Sequence, residues 1–404
     1  MSTAMEREET VEVPTGRGLG RLLASTGVSI AGQGMVLAAV PLLAARLTND
    51  PFQVSLTVAA TYAAWLLVGL PAGALVDRWP RRRTMVIADL VRALIIGGLG
   101  LAVIAGVAQM WLLILSVFLL GVASCFFDPA AQAALPAVVG RDPSVLARAN
   151  GRMWSLDLIG RSLIGPPVGA ALFVMAAGLP FFANGATFLL SAALLVGISS
   201  LHPPARVGEQ FRLALSIREG LGYLARHSEL RTLTIGMGSF NFVYNLAYAT
   251  LVLYAKDRLQ VTEQGFGLLL ASAAVGGLFA GYVVSKVGRS PRASTLYAAG
   301  LAMQGLGWLM VAAMPNAWVA AAALAMVGAA SMSVTILGGA ARQRLTPDAM
   351  LGRVSAITRV IGIGAAGLGA LANGLVAGSL GLQQAVLIAG SASVLAAVFF
   401  WRSD

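Results

Sequence analysis

Six ionisable residues fall inside apolar stretches of this sequence: Asp89, Arg92, Asp128, Asp157, Arg161 and Arg359. A charge at the centre of a hydrocarbon-embedded helix costs about 2.5–3.5 kcal/mol on insertion scales, so each position asks for a partner or a task. Asp89 and Arg92 are three residues apart and Asp157 and Arg161 four apart, so each pair shares one helix face. Such a pair either neutralises itself as a structural unit or carries a proton, and the spacing leaves both open. Asp128 has no local partner. It is the first candidate for proton coupling, with Asp89 the second. Arg359 is the only charge well inside the second half, where it faces an anionic ligand or snorkels to the membrane surface.

A second group is polar without being charged. Asn241, Tyr244, Asn245 and Tyr248 recur at helical spacing in an otherwise apolar run. A polar-aromatic stripe of this kind suits the wall of a cavity for a bulky amphiphile; it equally suits hydrogen bonding between helices. Gln33, Tyr62, Trp65 and Arg359 are further candidates for the same cavity.

The elements that must hold these residues are long apolar runs. Hydrophobic residues make up 58% of the 404 and charged residues 11%, against roughly 25% charged in an ordinary soluble domain. With a mean hydropathy of +0.81 there is no material for a water-facing shell, and the solvent must be lipid. Apolar runs of about 20 residues, the length that crosses a bilayer, are expected as twelve spans near 22–45, 54–76, 84–104, 111–134, 154–176, 180–200, 233–254, 266–287, 293–313, 317–339, 354–377 and 384–401. The net charge of +11 does not indicate nucleic acid, because the basic residues cluster between apolar runs instead of forming a stripe.

That clustering sets an orientation. With the N-terminus in the cytoplasm, 22 of the 28 Arg and Lys residues fall on the cytoplasmic side, and only Arg46, Lys256 and Arg258 on the other. The polar stretch 1–20 carries Glu6, Glu8, Glu9 and Glu12 and lacks the basic n-region of a cleaved signal peptide, so the first apolar run is expected to remain as an anchor. Few lysines among many Ala, Gly and Arg point to a GC-rich bacterial source, hence a cytoplasmic (inner) membrane with both termini inside. The expected organisation is a tail (1–20), a six-span half (21–201), a cytoplasmic linker (202–231) and a second six-span half (232–404). In the linker, Ile217, Leu221 and Leu224 repeat at helical spacing and predict a short interfacial helix.

The halves are related. Gly73-Ala-Leu-Val-Asp77-Arg78-Trp-Pro-Arg81 comes after the second span, and Gly281-Tyr-Val-Val-Ser285-Lys286-Val-Gly-Arg289 after the eighth. Repeats of six spans with a site between them near the midplane mark one large class of transporters. The stretch from Gly73 through Asp77, Arg78 and Arg81 to Arg83 resembles the loop 2–3 signature of the major facilitator superfamily. Ala88-Asp89-Leu-Val-Arg92, Phe127-Asp128-Pro129-Ala130, Gly165-Pro166-Pro-Val-Gly169 and Leu351-Gly352-Arg353-Val354 resemble its drug, macrolide and siderophore exporters. The resemblance implies an all-α integral membrane fold of twelve transmembrane helices in two pseudo-symmetric six-helix bundles. It also implies a conformational latch, made when the protein is open outward and broken when it opens inward, in which Asp77 meets the start of the eleventh span near Arg353 while Arg81 reaches Asp128. In physical terms Gly73 permits close helix approach, and an anion at Asp77 favours a helix N-terminus. Holding the loop in the cytoplasm is the plainer role for the arginines.

Gly160, Gly165, Pro166 and Gly169 resemble the fifth-span signature of antiporters, with a departure of one residue between Gly160 and Gly165. A second departure is Gln33 in the first span, where exporters of this kind often carry an acid; Gln33 cannot carry a proton. The expected function is alternating-access export of small amphiphilic molecules, antibiotics or siderophore-like metabolites, with protons as the coupling ion. The alternatives are an uncoupled facilitator or importer, and a sensor or enzyme on the same scaffold. The expected partners are the lipid bilayer, a small-molecule substrate and protons, with no nucleic acid, no cofactor, no metal, and the chain a monomer.

Other chemistry is excluded by the residues present. A phosphate-binding loop needs Lys with Ser or Thr next after it, whereas Lys256 and Lys286 precede Asp and Val. Gly362-x-Gly364-x-x-Gly367 lies within an apolar span with no strand before it and reads as helix packing. His202 and His227 both fall in the linker, away from the single Cys125, and no catalytic triad is present.

Overall fold

The computed structural model describes residues 16–76, 78–139, 143–198, 213–286 and 291–402. Among these residues all regular structure is helical. In lipid no water can take up backbone N–H and C=O groups, so each segment must satisfy its own.

The described residues make twelve spans, in order: Gly16–Leu47, Pro51–Val76, Arg81–Ile104, Met110–Val139, a fifth made of three pieces (Pro143–Leu156, Asp157–Ile164 and Gly165–Met175), Leu179–Val196, a seventh made of two (Ser228–Tyr248 and Leu251–Asp257), Glu263–Lys286, Ala293–Ala313, Ala317–Leu345, Asp348–Leu380 and Leu382–Arg402. Most run beyond the apolar stretches, because helical hydrogen bonding continues where side chains turn polar. Between the sixth and seventh spans Leu213–Arg226 forms a separate helix.

Eleven of the spans are long and apolar enough to cross a membrane on composition alone. The seventh is the exception. Its polar stripe lowers its hydropathy, and its helix breaks at Ala249–Thr250, inside a stretch the sequence predicts as continuous. Beside the break Asn373 of span 11 donates to the Leu246 carbonyl at 2.6 Å.

Spans 1–6 and 7–12 form the two bundles, which meet along two seams, span 2 against span 11 and span 5 against span 8. At one end the apolar core is undivided, running from Leu43, Phe173 and Phe181 of the first bundle to Val252, Phe266 and Trp308 of the second. At the other end it is split. Leu22, Met85, Phe127 and Leu195 form one cluster, and Leu230, Leu296, Val354 and Phe400 another. The split end carries the arginine clusters and is the basic end; the undivided end is the far end.

Large apolar side chains cover the outer surface, among them Leu94, Phe279 and Leu395. A water-soluble protein rarely exposes so much apolar area. Exposed Trp111 and Trp318 begin spans at the far end, and exposed Trp79, Trp154 and Trp401 lie toward the basic end. Two tryptophan levels of this kind mark the two faces of a bilayer.

Candidate functional site: a cleft between the bundles

The intramembrane charges of the first bundle divide into two environments. Asp89 and Arg92 are 0% and 1% exposed and form an ion pair at 2.5 Å. The Ser191 hydroxyl donates to Asp89 at 2.6 Å and lies 2.8 Å from the Ser25 hydroxyl, so spans 1, 3 and 6 are tied together through this carboxylate. The Arg92 guanidinium lies 4.0 Å from the Phe127 ring centroid and 4.5 Å from that of Phe188. Two aromatic faces and one carboxylate offset the cost of burying the charge. Arg92 Nε and Nη1 nevertheless have no hydrogen-bond partner among the described residues.

Asp128 differs. It is half-buried on span 4 and, among the described residues, makes no ion pair, while Arg92, Arg161 and Arg359 act on it electrostatically as opposite charges and Asp157 as a like charge. Asp157 and Arg161 are half-exposed and 2.8 Å apart, too bent for a hydrogen bond from Arg161 Nε. Arg359 is exposed on span 11. The structure therefore brings Asp128, Arg161 and Arg359 into one electrostatic neighbourhood that joins both bundles.

The bent pair lies in a π-helical segment, Asp157–Ile164. A π-turn accommodates one residue more than the α-helix, which accounts for the extra residue between Gly160 and Gly165. Beyond the π-segment the fifth span packs closely. A Cβ on Gly165 would collide with Gly34 Cα, and one on Gly169 with the Met35 backbone, while Gly160 lies over Ile30 and Ala31. Buried Pro166 starts the helix after the π-segment, and its carbonyl lies under Gly267 of span 8. The glycine-proline signature is thus the junction of spans 1, 5 and 8.

The expected latch is only partly visible. Asp77 lies outside the described residues. Among the described residues a Cβ on Gly73 would meet nothing within 4 Å, so the close approach expected of it is not made with any of them. Arg78 is exposed and Arg81 half-buried, and no ion pair joins Arg81 to Asp128 among the described residues. Arg353 instead pairs with Glu219 of the linker helix at 2.7 Å.

The tyrosine stripe faces the seam between bundles. Tyr244 and Tyr248 stack with centroids 5.1 Å apart, and Tyr244 meets the edge of Trp308. Tyr62 of span 2 lies near both, across the seam from them. The amides are largely used for structure: Asn241 donates to the Gly362 carbonyl at 3.3 Å and Asn245 to the Asn241 carbonyl at 2.9 Å. The tyrosines stack along the seam, while Asn241 bonds across to span 11 and Asn245 bonds within its own helix. Gln33 donates to Ser29 within its own span at 3.3 Å. Trp65 is half-buried against Gly69 of its own helix.

A profile of the Major Facilitator Superfamily matches residues 22–359. The chain belongs to the Major Facilitator Superfamily. It is a multi-pass membrane transporter, not an enzyme. Among curated relatives of this superfamily member are the multidrug efflux pump Tap of Mycolicibacterium fortuitum, 27% identical over 88% of each chain, and the enterobactin exporter EntS of Shigella boydii, 27% identical over 91% of this chain and 86% of that one. Its fold resembles that of a bacterial homologue of the human lysosomal transporter Spinster, solved in an inward-facing, unoccupied conformation (TM-score 0.74, 15% identity, 96% of both chains). It likewise resembles a bacterial homologue of the iron transporter ferroportin in an inward-facing state (TM-score 0.73, 17% identity, 96% and 98% coverage).

Sequence reasoning missed two groups in this superfamily member. Ser25 and Ser191 complete the Asp89 site, yet single serines in apolar spans carry no distinguishing pattern. At the far end, Arg46 and Glu263 bridge the bundles at 2.7 Å. Both residues stand at helix ends, which is a usable signal, but Arg46 entered only as a minority charge in the orientation count.

Proposed function

We propose that this transporter exports small amphiphilic molecules, drug-like or siderophore-like, from the cytoplasm across the inner membrane of a bacterium. The basic end with both termini faces the cytoplasm, and exchange against protons drives the cycle in a single chain. The observation that carries this reading is the core that is whole at the far end and split at the basic end. A cleft open only to the basic side can load from the cytoplasm and release outward once the seams exchange. Tyr62, Tyr244 and Tyr248 form its aromatic roof. Asp128, ionisable and without an ion-pair partner among the described residues, is suited to take and give the proton, while Asp89 is held by Arg92 and Ser191 as a fixed counter-charge. The names of the relatives Tap and EntS support export and the substrate class.

In this reading Asp77 takes Arg353 from Glu219 when the basic end closes, and Gly73 then meets its neighbour. The test is flux in proteoliposomes with an imposed pH gradient, using ethidium and a catecholate siderophore as probes. Efflux that tracks the gradient in the wild type, and ceases to track it in Asp128→Asn, supports proton exchange. Flux indifferent to the gradient would favour the uncoupled facilitator, for which Gln33 in the first span is the specific argument.

A further inference from the structure

The far end has polar parts that neither the cleft nor the proton site uses. Arg46 stands in the last turn of span 1 and Glu263 in the first turn of span 8, so each helix end favours the charge it carries. Arg46 Nε and Nη2 donate to the two Glu263 carboxylate oxygens, both at 2.7 Å. A fork on a carboxylate fixes orientation as well as charge. The same guanidinium covers the Phe173 ring of span 5 at 4.3 Å.

Beside this pair, Lys256 Nζ donates to Asn49 Oδ1 at 3.1 Å and to the Ala45 carbonyl at 3.4 Å. Both contacts cross between bundles, and both line a cavity of about 370 Å³ whose apolar side includes Leu42, Val252 and Phe266. The third cation of this side, Arg258, is held by Gln383 within the second bundle. Basic residues are disfavoured on the non-cytoplasmic side of a membrane protein. Here all three are bonded, two of them across the line along which the bundles must part.

We propose that Arg46–Glu263 and Lys256–Asn49 form an outer clasp that holds the far end shut and opens for release. The direction of release rests on the export reading; the clasp itself does not. Arg46 and Glu263 are 44% and 31% exposed, so water screens the pair and its loss shifts the closed-to-open ratio by up to about five-fold.

Pulsed electron paramagnetic resonance in lipid nanodiscs tests this without a substrate. Spin labels go on Ala105→Cys of the first bundle and Ala313→Cys of the second, both exposed at the far end and outside the clasp, in a Cys125→Ser background. The wild type should give mainly the short distance. Glu263→Gln and Lys256→Met should each raise the long-distance population several-fold, and Arg46→Gln added to Glu263→Gln should raise it little further. A distribution unchanged in Glu263→Gln, or a double variant opened by the full product of the two single effects, overturns the clasp. Absence of probe efflux in proteoliposomes would instead overturn the export reading and leave the distance comparison standing.

Discussion

At the residue scale, two aspartates of one bundle are set apart by what surrounds them. Removing one partner of a fully buried ion pair leaves the other charge uncompensated, at about 3–5 kcal/mol. Arg92→Leu and Asp89→Asn should therefore unfold well below the wild-type temperature in detergent, as monitored by tryptophan fluorescence. Asp128→Asn, which breaks no described ion pair, should unfold near the wild-type temperature. A pair of melting curves with the opposite ranking would make Asp128 the structural group and Asp89 the free one. The spacing of Asp89 and Arg92 made their pairing legible in the sequence. The environment that separates the two aspartates was not legible, because it comes from Ser25, Phe127, Ser191 and Phe188 on three other spans, and long-range convergence leaves no local pattern.

At the element scale, glycines that look alike in the sequence behave differently in the fold. A side chain at Gly165 would meet backbone, which cannot step aside, so Gly165→Leu should cost about 1–3 kcal/mol and lower the yield of folded protein in size-exclusion chromatography. Gly73 faces open space, so Gly73→Trp should fold as well as the wild type. If span 2 closes on its neighbour there during the cycle, that same variant should lose at least ten-fold in probe efflux. A Gly73→Trp protein that transports normally would remove Gly73 from the latch. Both glycines were singled out from the sequence, but their surroundings depend on the π-segment in one case and on the conformation in the other. The helix break at Ala249–Thr250 was equally silent, for neither residue is a usual helix breaker. It stands beside Asn373, more than a hundred residues away in the chain.

At the scale of the whole molecule, the twelve-span plan was readable because hydrocarbon imposes it. A run of apolar residues can only be a helix there, and the arginine clusters fix which ends lie together. What the sequence could not express is which seam is closed, since both conformations use the same residues. The structure makes that difference measurable. Ala59 lies in a small apolar cluster with Ala249 and Ala370, which bridges the bundles toward the far end, whereas Arg359 of span 11 is exposed. In the resting protein Arg359→Cys should react quickly with a water-soluble methanethiosulfonate reagent, and Ala59→Cys should be protected. Closing the basic end must reverse this pattern, because the two bundles move as packed bodies and cannot open at both seams without exposing their shared core. A bis-methanethiosulfonate linker joining cysteines that replace Arg46 and Glu263 should fix the resting pattern and stop efflux until it is reduced. Efflux that continues with the linker in place would mean that release does not require the far end to part.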